Sequence, residues 1–388
     1  MKSMSRICII TTVHQALDDR IFYKEARTLK ENGFDIDLIG LAQADTVIDG
    51  IRIHALPVAG NKLVRFFRNN ALALWKAIRC RANAYHFHDP EFYPWAIVLK
   101  LISHRPIIKD FHENYHKLIL TKEWIPGYLR QFVYFIFRMI EHLSSHFIDA
   151  FIFAVPDITL QYRNYKKLKI EIKNFPPLEL FPLNKIIDNS ECKKFIYIGE
   201  VDLSRGIMED IQAIEKLLNN GKRVCLKIIG PFSDEATYQL IKSYIEKHQL
   251  QEAILLTGRI PHGHIPAELS QAFAGLVTVH PTIYNSISYN VKIFEYMVAG
   301  IPVIASDIPL YRSFIQKYRA GLHVNPLDVK AIADAMEYLL DNMREAKKMG
   351  TNGRIAVLEN FNWQNEGKKL IEFYNALFNS SRSKDANY

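Results

Sequence analysis

The sequence predicts an α/β fold of two Rossmann-like domains whose parallel sheets face a central cleft, and three observations lead there. The chain has 388 residues, too many for one ordinary core and suited to two domains of about 150–200 residues. Short apolar, β-branched runs alternate with amphipathic helical segments, as in βα units on a parallel sheet. The alternation occurs twice, and Asn174-Phe-Pro-Pro-Leu-Glu-Leu-Phe-Pro182 interrupts it with three prolines that favour an extended connector. The expected division is a first domain over 1–175, a linker over 176–192, a second domain over 193–360, and a last helix with a polar tail over 361–388.

In the first series, Ile7–Val13 is a continuous apolar run, typical of a strand covered on both faces. Arg20–Asn32 carries Ile21, Ala26 and Leu29 on one helical face, and Gly33 ends it. Asp35–Leu41 and Ile51–Ala55 read as strands, residues 62–82 as a basic helix, Ala84–Phe87 as a strand, Phe92–Ile102 as a helix and Pro106–Lys109 as a strand. Residues 126–144 read as a helix, Phe147–Phe153 as a strand, 156–166 as a short helix and 168–172 as a strand.

In the second series the strands are Lys194–Ile198, Val224–Ile229, Ile254–Leu256, Leu276–Val279 and Pro302–Ile304. The helices are Ile207–Asn219, Glu235–His248, Ile265–Gln271, Val291–Ala299, Pro326–Asn342, Arg344–Glu359 and Trp363–Phe378, after which Ser380–Tyr388 is expected to fray.

Net charge is +8, and all of it belongs to the first half. Residues 1–187 hold 26 Lys+Arg against 18 Asp+Glu, whereas 188–388 hold 23 against 23. Such asymmetry suggests an anionic partner for the first half. Cys8, Cys80, Cys192 and Cys225 form no C-x-x-C pair and read as reduced thiols. The apolar run near the amino terminus is too short for a signal peptide, and no run of about 18 apolar residues could span a bilayer. The expected location is cytoplasmic, peripheral on the inner face of the cell membrane.

In open α/β sheets ligands bind beyond the carboxyl ends of the strands, so the residues there decide function. Gly199 follows a strand, and Arg205-Gly206 opens the next helix, a phosphate site in principle. The bland reading is a surface arginine before a helix-start glycine. In Asn290-Val-Lys-Ile-Phe-Glu-Tyr-Met-Val-Ala-Gly-Ile-Pro-Val-Ile-Ala-Ser306, Lys292 occupies the first helical turn, where the dipole opposes a cation unless an anion binds. Glu295 lies one turn on, so an ordinary i,i+3 ion pair explains the spacing equally well.

These stretches resemble retaining glycosyltransferases of family 4, which have the GT-B fold. Three more, in the same order as in the family, strengthen the resemblance: Asp19-Arg-Ile-Phe-Tyr-Lys-Glu-Ala26, Tyr85-His-Phe-His-Asp-Pro-Glu91 and Lys109-Asp-Phe-His-Glu113. Together they resemble the bacterial surface-polysaccharide type over about residues 6–378. The resemblance implies a nucleotide-sugar donor, UDP- or GDP-linked, bound by the second domain, and a glycan or lipid-linked acceptor bound by the first. It further implies retention of configuration, no metal and no other cofactor, and a last helix that packs back on the first domain.

The roles it implies fall on particular residues. Arg205 and Lys292 match the cations that hold the diphosphate, beside Gly199, Gly206 and the backbone of Asn290, Val291 and Lys292. Glu295 matches the residue that binds the ribose, and Gly258-Arg259-Ile260 matches the segment against the base. His112 matches the first-domain histidine beside the donor sugar, and His14, His88 and Asp89 fall on the acceptor side.

The sequence also departs from the family. Ile287 stands where members carry the first of two glutamates, Glu200 where an arginine is common, and His14-Gln-Ala-Leu-Asp18 where a Gly-Gly loop is usual. An inactive GT-B-shaped scaffold is therefore the alternative. A metal-dependent transferase could use Asp35-Ile-Asp37, although strand alternation explains that pair better. A dinucleotide oxidoreductase would need G-x-G-x-x-G after the first strand, and Thr11–Asp19 has no glycine. A metal cluster of His88, Asp89 and His112 is the weaker reading of the histidines. Residues 62–82 mix Lys62, Arg65, Arg68, Lys76, Arg79 and Arg81 with Phe66, Phe67 and Trp75, and 124–137 add Trp124, Tyr128, Phe132, Tyr134, Phe135 and Phe137. Basic aromatic helices of this kind suit an anionic membrane surface, although core aromatics beside solvated cations would look the same. Nothing resembles a nucleic-acid module.

Overall fold

The computed structural model describes residues 5–58, 60–61, 64–112, 115, 119, 125–181, 192–282, 285–286 and 289–385. Lys62, Glu113, His116, Trp124 and Ile287, and residues 182–191 of the expected linker, lie outside the described residues. Two compact units result, residues 1–174 with 364–388, and residues 175–363.

The first unit holds an eight-stranded sheet. Its strands are β1 (Arg6–Gln15), β2 (Asp35–Leu41), β3 (Thr46–Ile48), β4 (Ile51–Leu56), β5 (Ala84–Phe87), β6 (Ile107–Phe111), β7 (Ala150–Phe153) and β8 (Leu168–Glu171), in the order β3-β4-β2-β1-β5-β6-β7-β8. All neighbours pair parallel except β3 with β4. Ile7, Cys8, Ile9 and Ile10 are fully buried, as expected of a central strand covered on both faces.

The second unit holds a six-stranded sheet of β9 (Lys193–Ile198), β10 (Val224–Ile229), β11 (Ile254–Gly258), β12 (Ala274–Val277), β13 (Val303–Ser306) and β14 (Gly321–Val324). The order β11-β10-β9-β12-β13-β14 with all-parallel pairing is that of a dinucleotide-type doubly wound sheet.

Several elements differ from the sequence reading. The segment after Asp18 is a π-helix, Asp19–Ala26, which runs into an α-helix, Arg27–Glu31. The Asp18 carboxylate caps it by accepting from the Arg20 and Ile21 N–H groups. The expected helix 62–82 is likewise π-helical at Arg65–Asn69 and α-helical at Asn70–Cys80, with the Asn70 amide donating to the Phe66 carbonyl at 2.9 Å. Phe147 ends the helix Gly127–Phe147 rather than starting a strand. The Lys167 ammonium explains the extension, because it caps the carbonyls of Ser145 and His146 at 2.8 Å each. Residues 307–325, to which no element is assigned from the sequence, form the helix Pro309–Tyr318 and the edge strand β14. The last helix runs Trp363–Asp385, past the expected fraying point.

Candidate functional site

In the second unit the strand order reverses between β9 and β12, and the loops after those strands flank the reversal. Leu203-Ser204-Arg205 forms a single turn before Gly206 and the helix Ile207–Asn219. Gly206 has φ +77°, and a Cβ there would lie 2.1 Å from the Thr278 carbonyl oxygen, so glycine alone lets this turn approach the end of β12. The Thr278 hydroxyl donates to the buried Asp210 carboxyl at 2.8 Å. Burial pushes that carboxyl well above its usual range, and the Thr278 bond only partly opposes the shift. The His280 N–H donates to the Ser204 carbonyl at 2.8 Å, and its Nε2 meets Glu209 Oε1 at 3.0 Å. Gly206 brings no side-chain cap to the helix, and helix starts of this kind attract anions.

Asn290 caps the helix Val291–Ala299 by accepting from the Lys292 N–H at 3.1 Å. Lys292 Nζ lies 3.0 and 2.9 Å from the two Glu295 oxygens. The Lys292 side chain is 30% exposed and that of Glu295 only 8%, so the pair presents its cation outward. Tyr296, the next residue, accepts the Ile198 N–H at 3.0 Å through Oη. Its ring packs where a Cβ on Gly275 would come within 2.2 Å. One tyrosine therefore fixes the Lys292 helix against the last residue of β9 and against β12. Gly258 ends β11 and accepts the Gly230 N–H at 2.9 Å; Arg259 is exposed, and Ile260 packs on the core.

In the first unit the order reverses between β1 and β5. Asp89 Oδ2 accepts from the Thr11 hydroxyl and the Thr12 N–H at 2.7 Å each, and from the Val13 N–H at 3.2 Å. Oδ1 faces His14 Nε2 at 3.5 Å. The His14 and His112 rings lie 5.5 Å apart, edge to face, so His14, Asp89 and His112 meet at the carboxyl ends of β1, β5 and β6.

Beneath them lies a buried charged network. Arg20 donates to Asp110 Oδ2 from Nε at 3.0 Å and from Nη2 at 2.7 Å, and its Nε lies 2.9 Å from Glu25 Oε1. Burial raises the Asp110 carboxyl, but the Arg20 guanidinium outweighs it and leaves the group at about 2. Glu25 is pushed well above its usual range by burial. Burial likewise lowers His86 to about 4 and His88 well below the ordinary histidine value. Lys109 donates to the His88 carbonyl and, at 2.8 Å, to the Asp110 carbonyl. Burial takes it down to about 8 against the pull of Asp89 and Asp110.

His88 was expected to line the acceptor side, but the structure buries it completely, with Nε2 3.4 Å from Glu25 and Nδ1 3.7 Å from Asp110. It follows Phe87 at the strand end and turns inward, so it supports the rim formed by His14 and does not line it. Asp89 is buried too, 1% exposed. The Asp35-Ile-Asp37 pair lies at the amino ends of the strands, salt-bridged to Arg52.

Sequence reasoning missed Asp110, Glu25, Glu209, His280 and Tyr296 as parts of these sites. Asp110 and Glu25 lay inside quoted motifs. His280 stands just past an apolar run, where a strand-end reading could have found it.

Among the described residues, three groupings bring His, Cys, Asp or Glu ligand atoms within 4.8 Å of one another: Glu25, His86, His88 and Asp110; His14, Asp89 and His112; and Asp37, His54 and Cys80. The first already holds the Arg20 cation, with Lys109 beside it.

The second unit is thus a doubly wound nucleotide-type domain, and the fold as a whole is of the GT-B class. Residues 184–356 match the family described as Glycosyl transferases group 1. Glycogen synthase of Mycobacterium tuberculosis is 21% identical over 303 residues, covering 78% of this chain and 70% of that protein. Sucrose-phosphate synthase from Thermosynechococcus elongatus superposes with a TM-score of 0.74 at 19% identity, covering 97% of this chain and all of that one. HepE of Anabaena, solved with UDP-glucose, gives 0.71 at 12% identity, covering 96% of this chain and all of that one.

Proposed function

We propose that the chain transfers a glycosyl group from a UDP- or GDP-linked sugar to a glycan or lipid-linked acceptor, with retention of configuration, in surface-polysaccharide synthesis. The observation that carries this is the pairing, in one doubly wound unit, of Arg205-Gly206 at an uncapped helix start with outward-facing Lys292 on a helix docked beside β9 and β12. Glycosyl transfer leaves a nucleoside diphosphate, and the charge that develops on it is best met by preorganised cations and N–H groups. Arg205, Lys292 and the start of the helix Ile207–Asn219 fill that role without a metal at the diphosphate. Glu295 holds Lys292 in place until the donor ribose arrives, Gly258-Arg259-Ile260 lies against the base, and Gly199, Asn290 and Val291 give backbone contacts. The first unit takes the acceptor at His14, supported by Asp89, with the His112 ring beside that of His14.

The likeness to HepE, which binds UDP-glucose, supports a nucleotide-sugar donor. No described helix is long and apolar enough to cross a membrane. The helix Gly127–Phe147 nevertheless exposes Tyr128, Phe132, Phe135, Met139 and Leu143 at i, i+4, i+7, i+11 and i+15, a single stripe. Phe137 and Ile140 on the same helix pack on the core. This stripe on the basic first half suits the inner face of an anionic membrane, where a lipid-linked acceptor would reside.

The test is thermal denaturation with UDP, GDP, ADP, CMP or dTDP, in EDTA, each against its own nucleotide-free baseline. Binding to the native state alone raises stability as RT ln(1 + [L]/Kd). A rise with one nucleotide that disappears in Lys292→Ala supports the transferase and identifies the donor base. No rise with any nucleotide favours the inactive scaffold.

A further inference from the structure

We infer that the first unit carries a zinc-type metal site formed by Asp37, His54 and Cys80. The site lies toward the amino ends of β1 and β2 and midway along β4, away from the carboxyl ends where His14 and Asp89 stand, and it does not depend on the transferase reading.

The topology brings these groups together. Cys8 and Asp37 are register partners on parallel β1 and β2, and registered residues of neighbouring strands point to the same face. Ile39 pairs with His54, and Asp37 with Arg52, so the period of two puts His54 on that face as well. The helix Asn70–Cys80 covers the face, and its last residue is Cys80. His54 Nε2 lies 2.7 Å from Asp37 Oδ1 and 3.6 Å from Cys80 Sγ. Ligand atoms of a tetrahedral zinc centre stand about 3.3–3.7 Å apart, given bonds of about 2.0–2.3 Å. A metal could therefore replace the proton shared by His54 and Asp37 with sub-ångström adjustments. Cys8, the register partner of Asp37, stands on the same face but outside this grouping.

The donor chemistry agrees. Thiolate, imidazole and carboxylate together select zinc over magnesium or calcium. Among the three groupings within 4.8 Å, this one contains sulfur. Asp37 and its neighbour Asp35 pair with Arg52, Arg6 and Lys30 in the metal-free chain, so a divalent cation must displace Arg52 from the two Asp37 oxygens it holds at 2.9 and 2.8 Å. Arg52 keeps Asp35, to which it donates at 3.0 and 2.9 Å, if the metal takes Asp37. Cys80 also sits at a helix C-terminus, where the dipole favours a cation. Binding would release the Cys80 thiol proton to solvent.

The experiment uses the full chain, stripped with chelator under reducing conditions and titrated with Co2+, then with Zn2+ in competition. The expected result is one Co2+ per chain with a thiolate-to-cobalt charge-transfer band, displaced by Zn2+, and a thermal midpoint that rises with zinc. Cys80→Ser and His54→Ala should each abolish the band, whereas Cys225→Ser should keep it. Circular dichroism and nucleotide-free melting in EDTA verify folding. If Cys80→Ser fails to fold, His54→Ala and Asp37→Asn decide instead. Absence of a thiolate–cobalt band in the parent chain, or its persistence in these variants, overturns the site. Failure here leaves nucleotide binding untouched, so the two readings fall separately.

Discussion

Tyr296 Oη accepts the N–H of Ile198 at 3.0 Å, and so the helix that carries Lys292 and Glu295 is fastened to the strand that ends at Gly199. Both groups are buried, and Tyr296→Phe would leave a buried N–H without its partner, at a cost of about 1–3 kcal/mol. Urea unfolding should show this loss. Nucleotide affinity should fall as well, because the helix can then shift relative to the β9 loop. A variant as stable as the parent, with equal affinity, would show that the bond does not position the helix.

Lys292→Ala should fold normally, because this side chain is partly exposed and contacts only its own helix partner Glu295 among the bonds described. Transfer should fall by about 10²–10³, in kcat more than in KM if the cation acts on the departing diphosphate. Glu295→Gln should weaken donor binding while preserving fold. Unaltered turnover in Lys292→Ala would remove it from the site.

Gly206→Ala places a Cβ 2.1 Å from the Thr278 carbonyl in a left-handed backbone. The turn must move, with strain on the order of 1–3 kcal/mol and loss of donor binding. Arg205→Ala, next to it, should lose donor affinity without that stability cost. Calorimetry on both separates the geometric requirement from the electrostatic one.

Acid should unfold the first unit early. His86 is held at about 4 by burial, against about 6.5 in an unfolded chain. The unfolded state therefore binds a proton that the native state refuses, so stability is complete above pH 6.5 and falls as pH drops toward 4. His86 alone should lose about 3 kcal/mol by pH 4, and His88 acts with the same sign. Urea midpoints at pH 7.5, 6, 5 and 4 measure the slope, and a flat profile from 7.5 to 5 would contradict the burial argument.

Phe132→Ser with Phe135→Ser changes two side chains that are 61% and 67% exposed. Melting should hardly shift, while sedimentation with vesicles containing phosphatidylglycerol should drop. Equal sedimentation of parent and variant would rule out the stripe as the lipid contact.

The strands and most helices were legible because their periodicity is strong and their ends are marked by Gly33, Gly206 and Gly300. The motif residues at strand ends were legible for the same reason. The π-helical turns were not: they span only eight and five residues, too few for their wider turn to show in the apolar pattern. Nor was the burial of His88 legible, since a histidine one residue past a strand can face either way, and here Glu25 and Asp110, brought from other segments, draw it inward. Tyr296 reads in sequence as one more apolar residue of a helix. Its hydrogen bond depends on β9, nearly 100 residues earlier. The metal-type cluster was hidden because Cys80 has no C-x-x-C partner.

The last helix, Trp363–Asp385, has its body in the first unit, although the second unit precedes it in the chain. Tyr374 meets His86 Nδ1 at 2.9 Å, and Glu366 accepts the Lys173 N–H at 2.8 Å. Phe34 lies against Tyr374 and Phe378. During synthesis the amino-terminal sheet therefore emerges long before the segment that covers it, while residues 175–363 can close on themselves first. The sheet translated before the second unit is the one that finishes folding after it, and a chain cut at residue 363 would carry a complete second unit attached to an unfinished first one.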